Sequence, residues 1–384
     1  MQNSNNSSFG FCKQPKKLII KNLKPLPFSV SCSQEYEESA WIRISQAISC
    51  IYSQKPIDQS SEELYQLCQN VCLFSLGNRL YSRLAVEIES HIEKLKASIL
   101  QSCKTLYPLA FLEEFSRNWK MLCQNTKSIQ RLLLFLDKTF VLETPGVLSI
   151  WNYTMQQFRD LVIEATSAEA IKENLISSLL KCIENERKGA EVDRSLMREI
   201  CDIFIELGLY EMMFEKPFLD ATEAFYSQMF AQKYANSSIS GYLAFVSERI
   251  AEESKRIDDC FASRTKKTCL SILEKYGLRE NMEKILRQGI PTLFDSMNVQ
   301  SFKQMYGLFE RIHGLDLMRG VFCEILKARG NCIVKKPSSS NEGENTFEDA
   351  NGNCSMISEL VSFKRKTTLL LTEAFNNNDS YSNS

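Results

Sequence analysis

Chain breakers are scarce. Proline accounts for 9 and glycine for 14 of 384 residues, each about half its usual share. Such a chain favours helices joined by short turns. With only two histidines, His91 and His313, and no CxxC pair, the fourteen cysteines cannot build a Cys/His zinc cage. They read instead as small, reduced core residues of an intracellular protein. The closest two, Cys68 and Cys72, stand one helical turn apart. A net charge of −1 supplies no global field for nucleic acid or an anionic membrane. No apolar run approaches the roughly 18 residues of a membrane span, and the polar start of the chain is not a signal peptide. No glycine-rich phosphate loop, GxSxG elbow or HExxH helix occurs.

What the chain has is helical periodicity. The richest stretch is Ser128–Leu142, SIQRLLLFLDKTFVL. Ile129, Leu132, Leu133, Leu136 and Phe140 fall at i, i+3, i+4, i+7 and i+11, one face of a helix. At about 100° per residue, Leu134 and Val141 form a stripe on one flank, and Phe135 lies on the other. A helix apolar over most of its circumference is covered on more than one side. Trp41, Ile44, Ala47, Ile48 and Ile51 mark an earlier helix. Ser60–Ser61 before Glu62–Glu63 reads as a helix start. In the helix that follows, Leu64, Leu67, Cys68, Val71, Phe74 and Ser75 share the inner face, with Tyr65, Gln69, Cys72 and Leu76 as a neighbouring stripe. Arg79–Ile99 and Leu109–Cys123 are further amphipathic helices, and Thr144–Pro145–Gly146 breaks the pattern before Ser149–Ile163.

The same kind of unit recurs from Ala168. Helices are predicted at Ile171–Asn185, Leu196–Leu207 and Phe214–Tyr234, with turns around Gly189 and Gly208. Tyr242–Lys275 is one long charged helix or two stacked head to tail. Leu278–Phe294, Ser301–Ile312 and Leu317–Ala328 follow. Pro337–Cys354 is rich in turn and disorder formers, a last helix covers Met356–Phe375, and the end is unstructured. Units of about 110–120 residues, each of about five helices, predict an all-α, elongated rod of stacked helical repeats. The expected layout is a tail over 1–37, repeats over 38–165 and 166–276, a partial repeat over 277–375 with an unstructured insertion at 336–355, and a tail over 376–384.

Catalytic chemistry has no constellation to rest on. The carboxylate pairs Glu62–Glu63, Glu113–Glu114 and Glu252–Glu253 read as solvated helix faces. His91 reads as a surface helix residue, and His313, beside Gly314, as a C-terminal cap. No cofactor is called for, and binding is the remaining class. The basic segment Lys16–Pro27, KKLIIKNLKPLP, is too short to bury itself. It suits a solvated tail, or a peptide that becomes ordered in a partner's groove, its Leu18–Ile19–Ile20 triplet in a pocket and its lysines against acidic rims.

FLEEFSRNWK, SIQRLLLFLDKTFVL, IENERKGAEVDRSL, LGLYEMMFEKPFLDATEAFY and FKQMYGLFERI resemble, in this order, the amino-terminal repeats of cullins. Within that family KKLIIKNLKPLP, EELYQLCQNVC and LGNRLYSRL look most like cullin-4. The resemblance runs from about Lys16 to Val334. It implies a non-catalytic scaffold of multi-subunit ubiquitin ligases, placed in nucleus and cytoplasm, whose first repeat binds a substrate-receptor adaptor, a triple β-propeller of the damaged-DNA-binding type. By that resemblance Lys16, Lys17, Leu18, Ile19 and Ile20 belong to the inserted peptide. Tyr65, Gln69 and Cys72 form the exposed stripe of the second helix, and Leu134, Phe135, Lys138 and Val141 the matching face of the fifth. Nothing in the sequence corresponds to the family's carboxyl-terminal domain, so no RING-box partner and no neddylation are expected, and a decoy or a degenerate paralogue would fit. A helical rod of a vesicle-tethering complex is the alternative on composition alone. The ordered motifs and the basic tail argue against it.

Overall fold

A computed structural model describes residues 30–334 and 349–374. Among the described residues all regular structure is helical, without a strand, as the scarcity of breakers predicts. The helices fall into two compact units. One comprises residues up to Glu87 together with Asn125–Trp151, the other Ile88–Gln124 together with Asn152 onward.

The first unit contains α1 (Val30–Tyr52), α2 (Ser61–Leu73), the start of α3 (Gly77–Thr105) and the end of α4 (Pro108–Leu132). Ser60 starts α2 as its spacing predicts: its hydroxyl accepts the Glu63 amide at 3.1 Å, satisfying one of the orphan donors of the first turn. The core takes part of each predicted face, while Trp41, Ile51, Leu67 and Phe74, expected inside, are half-buried. Ala40, Ile44, Ala47 and Ile48 of α1 meet Leu64, Cys68 and Val71 of α2, Leu80 and Leu84 of α3, and Ile129, Leu133 and Leu136, all buried. Ser75 departs from the expected inner face of α2. The helix ends at Leu73, and Ser75 is an exposed turn residue with φ 62°.

The stretch Ser128–Leu142 is not one helix. It closes α4 and then breaks at Leu133 (φ −102°, ψ 26°), after which α5, the single turn Leu134–Leu136, runs into a π turn at Asp137–Val141. No glycine or proline forces this. Asp137, buried at 8 % exposure, holds the break from outside: its carboxylate accepts from Gln130 Nε2 at 2.7 Å and from the amide of Ile150 at 3.0 Å. Ile150 opens α6 (Ile150–Phe158), so Asp137 caps a helix thirteen residues away.

In the second unit, α7 (Glu169–Arg187), α8 (Arg194–Glu206), α9 (Lys216–Asn236), α10 (Ile239–Cys260) and α11 (Arg264–Gly277) precede α12 (Met282–Asp295), α13 (Val299–Arg311), α14 (Leu315–Val334) and α15 (Asp349–Ala374). The expected turns are present at Gly189 (φ 93°) and Gly208 (φ 70°), and Asp193 caps α8. The charged stretch Tyr242–Lys275 resolves into α10 and α11, packed side by side rather than head to tail. The Tyr242 hydroxyl, near the start of α10, donates to the carbonyl of Gly277 at the end of α11 at 2.7 Å, which an antiparallel pair requires. The last helix begins at Asp349, inside the stretch predicted to lack structure, rather than at Met356.

The centre of this unit is ionic. Glu253, fully buried, accepts from Arg187 Nε at 2.7 Å and from the Tyr226 hydroxyl at 2.7 Å, and Arg256 Nη1 donates to the same carboxylate. Arg187 also reaches Thr222 at 2.7 Å, and Arg256 reaches Glu186 at 2.8 Å. This corrects the reading of Glu252–Glu253 as a solvated face. Two guanidinium groups compensate the desolvation of one carboxylate.

Candidate docking face on α2 and α5

The α2 helix and the segment that follows α4 lie side by side. The Tyr65 ring sits 6.3 Å from Phe135, edge to face at 87°. Past the end of α2, a Cβ on Gly77 would lie 3.1 Å from that of Phe140, so the absence of a side chain at Gly77 is what admits the Phe140 ring. The partners advance together along both segments, which therefore run parallel. Their outer sides make one face.

On that face Tyr65, Gln69, Cys72 and Phe135 are half-buried and Lys138 is exposed. Leu134 is 36 % exposed, Leu73 49 % and Leu142 77 %. Tyr65, Gln69, Cys72, Leu134, Phe135 and Lys138 all keep some exposed surface on these two segments, Phe135 beside Tyr65 rather than on the opposite flank, whereas Val141 turns inward, with 9 % exposure. The π turn is the reason. Its wider i→i+5 winding needs about one extra residue per turn, so Leu142 takes the outer place that an unbroken α-helix gives Val141. The same break leaves Leu132 and Phe140, expected in the core, half-buried. Leu73 and Leu142 were missed. Leu73 continues the i, i+4 stripe of Tyr65 and Gln69, so the four-residue spacing was the available signal there, whereas Leu142 reaches the surface through the π turn, which spacing does not reveal. Lys16, Lys17, Leu18, Ile19 and Ile20 lie outside the described residues.

The two thiols inside this face are unequal. The neighbouring Cys72, with burial behind it, raises the Cys68 thiol above the usual range. Cys68 is fully buried and Cys72 half-exposed.

Other candidate groups sort themselves by surroundings. His91 is half-buried rather than a surface residue, and burial, assisted by Lys94, takes its pKa down to about 4. His313 adopts φ 58° at the end of α13, with its amide bonded to the Glu310 carbonyl at 3.2 Å, the left-handed conformation of a C-terminal cap. Among the described residues no group of three or more His, Cys, Asp or Glu side chains could hold a metal ion. No described helix is long and apolar enough to cross a membrane. Cys68, Cys182, Cys201, Cys260 and Cys269 are buried free thiols, while Cys332 is exposed. What the face offers is contact area: apolar and aromatic groups beside a lysine, without a reactive constellation.

Comparison with known proteins gives this geometry a context. The sequence model of the Cullin alpha solenoid domain matches residues 41–384. Human Cullin-4A is 30 % identical over 370 residues, covering 96 % of this chain and 46 % of the relative. Cullin-4 of Dictyostelium discoideum is 26 % identical over 376 residues, and Cullin-3A of Arabidopsis thaliana 27 % over 362. The chain spans about half the length of the curated relatives it matches, 46 % of human Cullin-4A.

Proposed function

The chain belongs to the cullin family, and from that premise we propose that it is a non-catalytic scaffold of a ubiquitin ligase whose α2–α5 face docks a triple β-propeller substrate-receptor adaptor. The observation that carries this reading is the exposure of Leu73, Leu134 and Leu142 around the Tyr65–Phe135 edge pair. A helix pair that spends its inner faces on a core and still presents three leucines and two aromatic rings has the composition of an interface centre, where aromatic anchors and apolar area dominate binding. Lys138 at the edge suits a charged rim. The similarity to cullin-4 proteins over nearly the whole chain favours the propeller as the adaptor class. The basic tail with Leu18–Ile19–Ile20 is the second contact, its triplet filling a pocket and its lysines meeting acidic groups.

Direct binding of a triple β-propeller adaptor to the purified chain tests the reading. Tyr65→Ala removes the aromatic anchor and is expected to cost about 2–4 kcal/mol, or roughly 30- to 1000-fold in affinity. Tyr107→Ala, which truncates a more exposed tyrosine (85 % exposed) outside this face, leaves affinity unchanged. Deleting residues 1–24 weakens binding while the melting temperature stays put. No binding at micromolar adaptor removes the proposal.

A further inference from the structure

The last helix, α15, packs one side on its own unit. Leu370 is fully buried, and the Phe363 ring lies 5.5 Å from that of Phe294 in α12. The other side carries a line of exposed residues at four-residue spacing: Ile357, Val361, Arg365, Leu369 and Glu373. Side chains at i, i+4 are neighbours on a helix surface, so these five form one ridge. Its apolar members, Ile357, Val361 and Leu369, are 55 %, 46 % and 43 % exposed. A trough of about 490 Å³ follows the ridge from Val361 to Glu373, lined by residues of α15 alone. The water-facing side of a helix is ordinarily polar throughout. This one is not.

The charges on the ridge stand in a self-complementary order. Arg365 lies four residues before Leu369 and Glu373 four after, each about 6 Å from it along the axis. The two are about 12 Å apart, and neither has an ion-pair partner among the described residues. Read in one direction the ridge is positive, apolar, negative. Turned end for end it presents the opposite sign at each charged place and a leucine at the centre. Residues 335–348 and 375–384 contain no leucine, isoleucine, valine or methionine, so the stretches of chain flanking α15 are poor cover for it.

We propose that this side of α15 is a self-association face, which pairs with α15 of a second copy of this chain, antiparallel about a two-fold axis at Leu369. Around such an axis residues equidistant from Leu369 face each other. Arg365 of each copy meets Glu373 of the other, and the two Leu369 side chains meet at the centre. Both charges gain the fork-to-fork partner that their own chain withholds. A parallel pairing in register sets Arg365 against Arg365 and Glu373 against Glu373. A two-fold axis at Arg365 or Glu373 also brings like charges together. The charges therefore fix direction and register, while Leu369 supplies the contact. One helix pair is small beside the roughly 1,600 Å² of a standard interface, so the association is weak, with a Kd in the micromolar range.

Sedimentation velocity on the full chain, from about 1 μM to about 300 μM, tests the pairing. The parent chain is expected to pass from monomer to dimer across this range. Leu369→Asp sets two carboxylates at the axis and should weaken the dimer at least tenfold, roughly the loss of one interface anchor. Arg365→Glu and Glu373→Arg each turn two attractions into two repulsions, and each alone should stay monomeric where the parent dimerises. Mixed in equal amounts, these two variants should dimerise again, because each offers the charges that the other lacks. A folding defect cannot produce that rescue, and all three variants should melt with the parent. A parent chain that stays monomeric throughout, or a mixture no more associated than its components, overturns the proposal. So does a Leu369→Asp chain that dimerises like the parent. If self-association never appears and Leu369→Asp instead loses adaptor affinity, the face belongs to the adaptor and the pairing of two copies is wrong.

Discussion

The α2–α5 face of the first unit keeps leucines outside; the centre of the second unit keeps charges inside. Around Glu253 the second unit buries a carboxylate and two guanidinium groups, each with partners within hydrogen-bond reach. On α2 and α5 the first unit exposes Leu73, Leu134 and Leu142. Each arrangement reverses the ordinary partition of residues, and they mean different things. The buried charges are fully paired by their own chain, so they need no ligand and read as architecture. The exposed leucines have no such compensation within their unit, so they read as a surface for something else. An unusual residue points to function where its own fold leaves it unsatisfied.

The largest effect expected from breaking this contrast comes from one position in the first unit. Leu133 and Leu134 are neighbours in sequence, yet Leu133 is 1 % and Leu134 36 % exposed. Leu133→Asp places a carboxylate among Ile129, Leu136 and the α2 core. Its cost exceeds about 4 kcal/mol, the range reserved for unpaired buried charge, and circular dichroism melting should show loss of the cooperative transition of the first unit. Leu134→Asp leaves that transition in place within about 0.5 kcal/mol and acts on adaptor affinity alone. If the two variants melt alike, the assignment of inner and outer sides is wrong.

Next in size is the ionic centre. Burial alone would raise the Glu253 carboxyl, but Arg187 and Arg256 more than offset it and hold the group below its usual range. The carboxylate therefore contributes stability that is complete above the ordinary carboxyl value, about 4.3. That contribution is lost as pH falls through the lower folded value. Glu253→Gln removes the charge and leaves Arg187 and Arg256 without their common partner, at a cost of about 3–5 kcal/mol by urea unfolding at neutral pH. Below pH about 4.3 the variant should lose stability with pH less steeply than the parent chain, because one linked proton is gone. Equal slopes would mean that Glu253 does not titrate as this network requires.

How much of this was legible depended on how far the deciding contacts lie. The N-cap at Ser60, the turns at Gly189 and Gly208 and the inner faces of α1 and α2 were readable because each is settled within a few residues. The break at Leu133 was not. Its sequence is a run of good helix formers, and the forces that end the helix come from Asp137 bonding Ile150. With the break went the register of everything after it, which is why Val141 and Leu142 exchange places while Leu134 and Lys138 stay where periodicity puts them. Glu253 was misread for the same reason. On its own helix it is one half of an acidic pair, and Arg187, which makes it a core residue, is 66 positions away. Of the proposed docking face, spacing alone puts Tyr65 and Gln69 on one stripe, and its extension to Leu73 required knowing where α2 ends.

The smallest effect tests the two units through their turns. Left-handed backbone costs a residue with a Cβ about 1–2 kcal/mol, and glycine nothing comparable. The second unit meets this need after α7 and α8 with Gly189 and Gly208, φ 93° and 70°, though after α12 and α13 it uses Met297 and His313, φ 49° and 58°. The first unit leaves α2 through Ser75, φ 62°, an exposed residue. Ser75→Gly should relieve that cost, less what the unfolded chain gains in freedom, for a net stabilisation of about 0.5 kcal/mol. Gly208→Ala should lower stability by about 1 kcal/mol, although its nearest neighbour, Arg159 Nη1 at 3.7 Å from the added Cβ, leaves room for a methyl group. Paired urea curves, read at constant m-value, would separate these signs. If Ser75→Gly proves destabilising instead, the serine side chain is holding the exit of α2, and the turn belongs with the docking face rather than with the plain connections of the second unit.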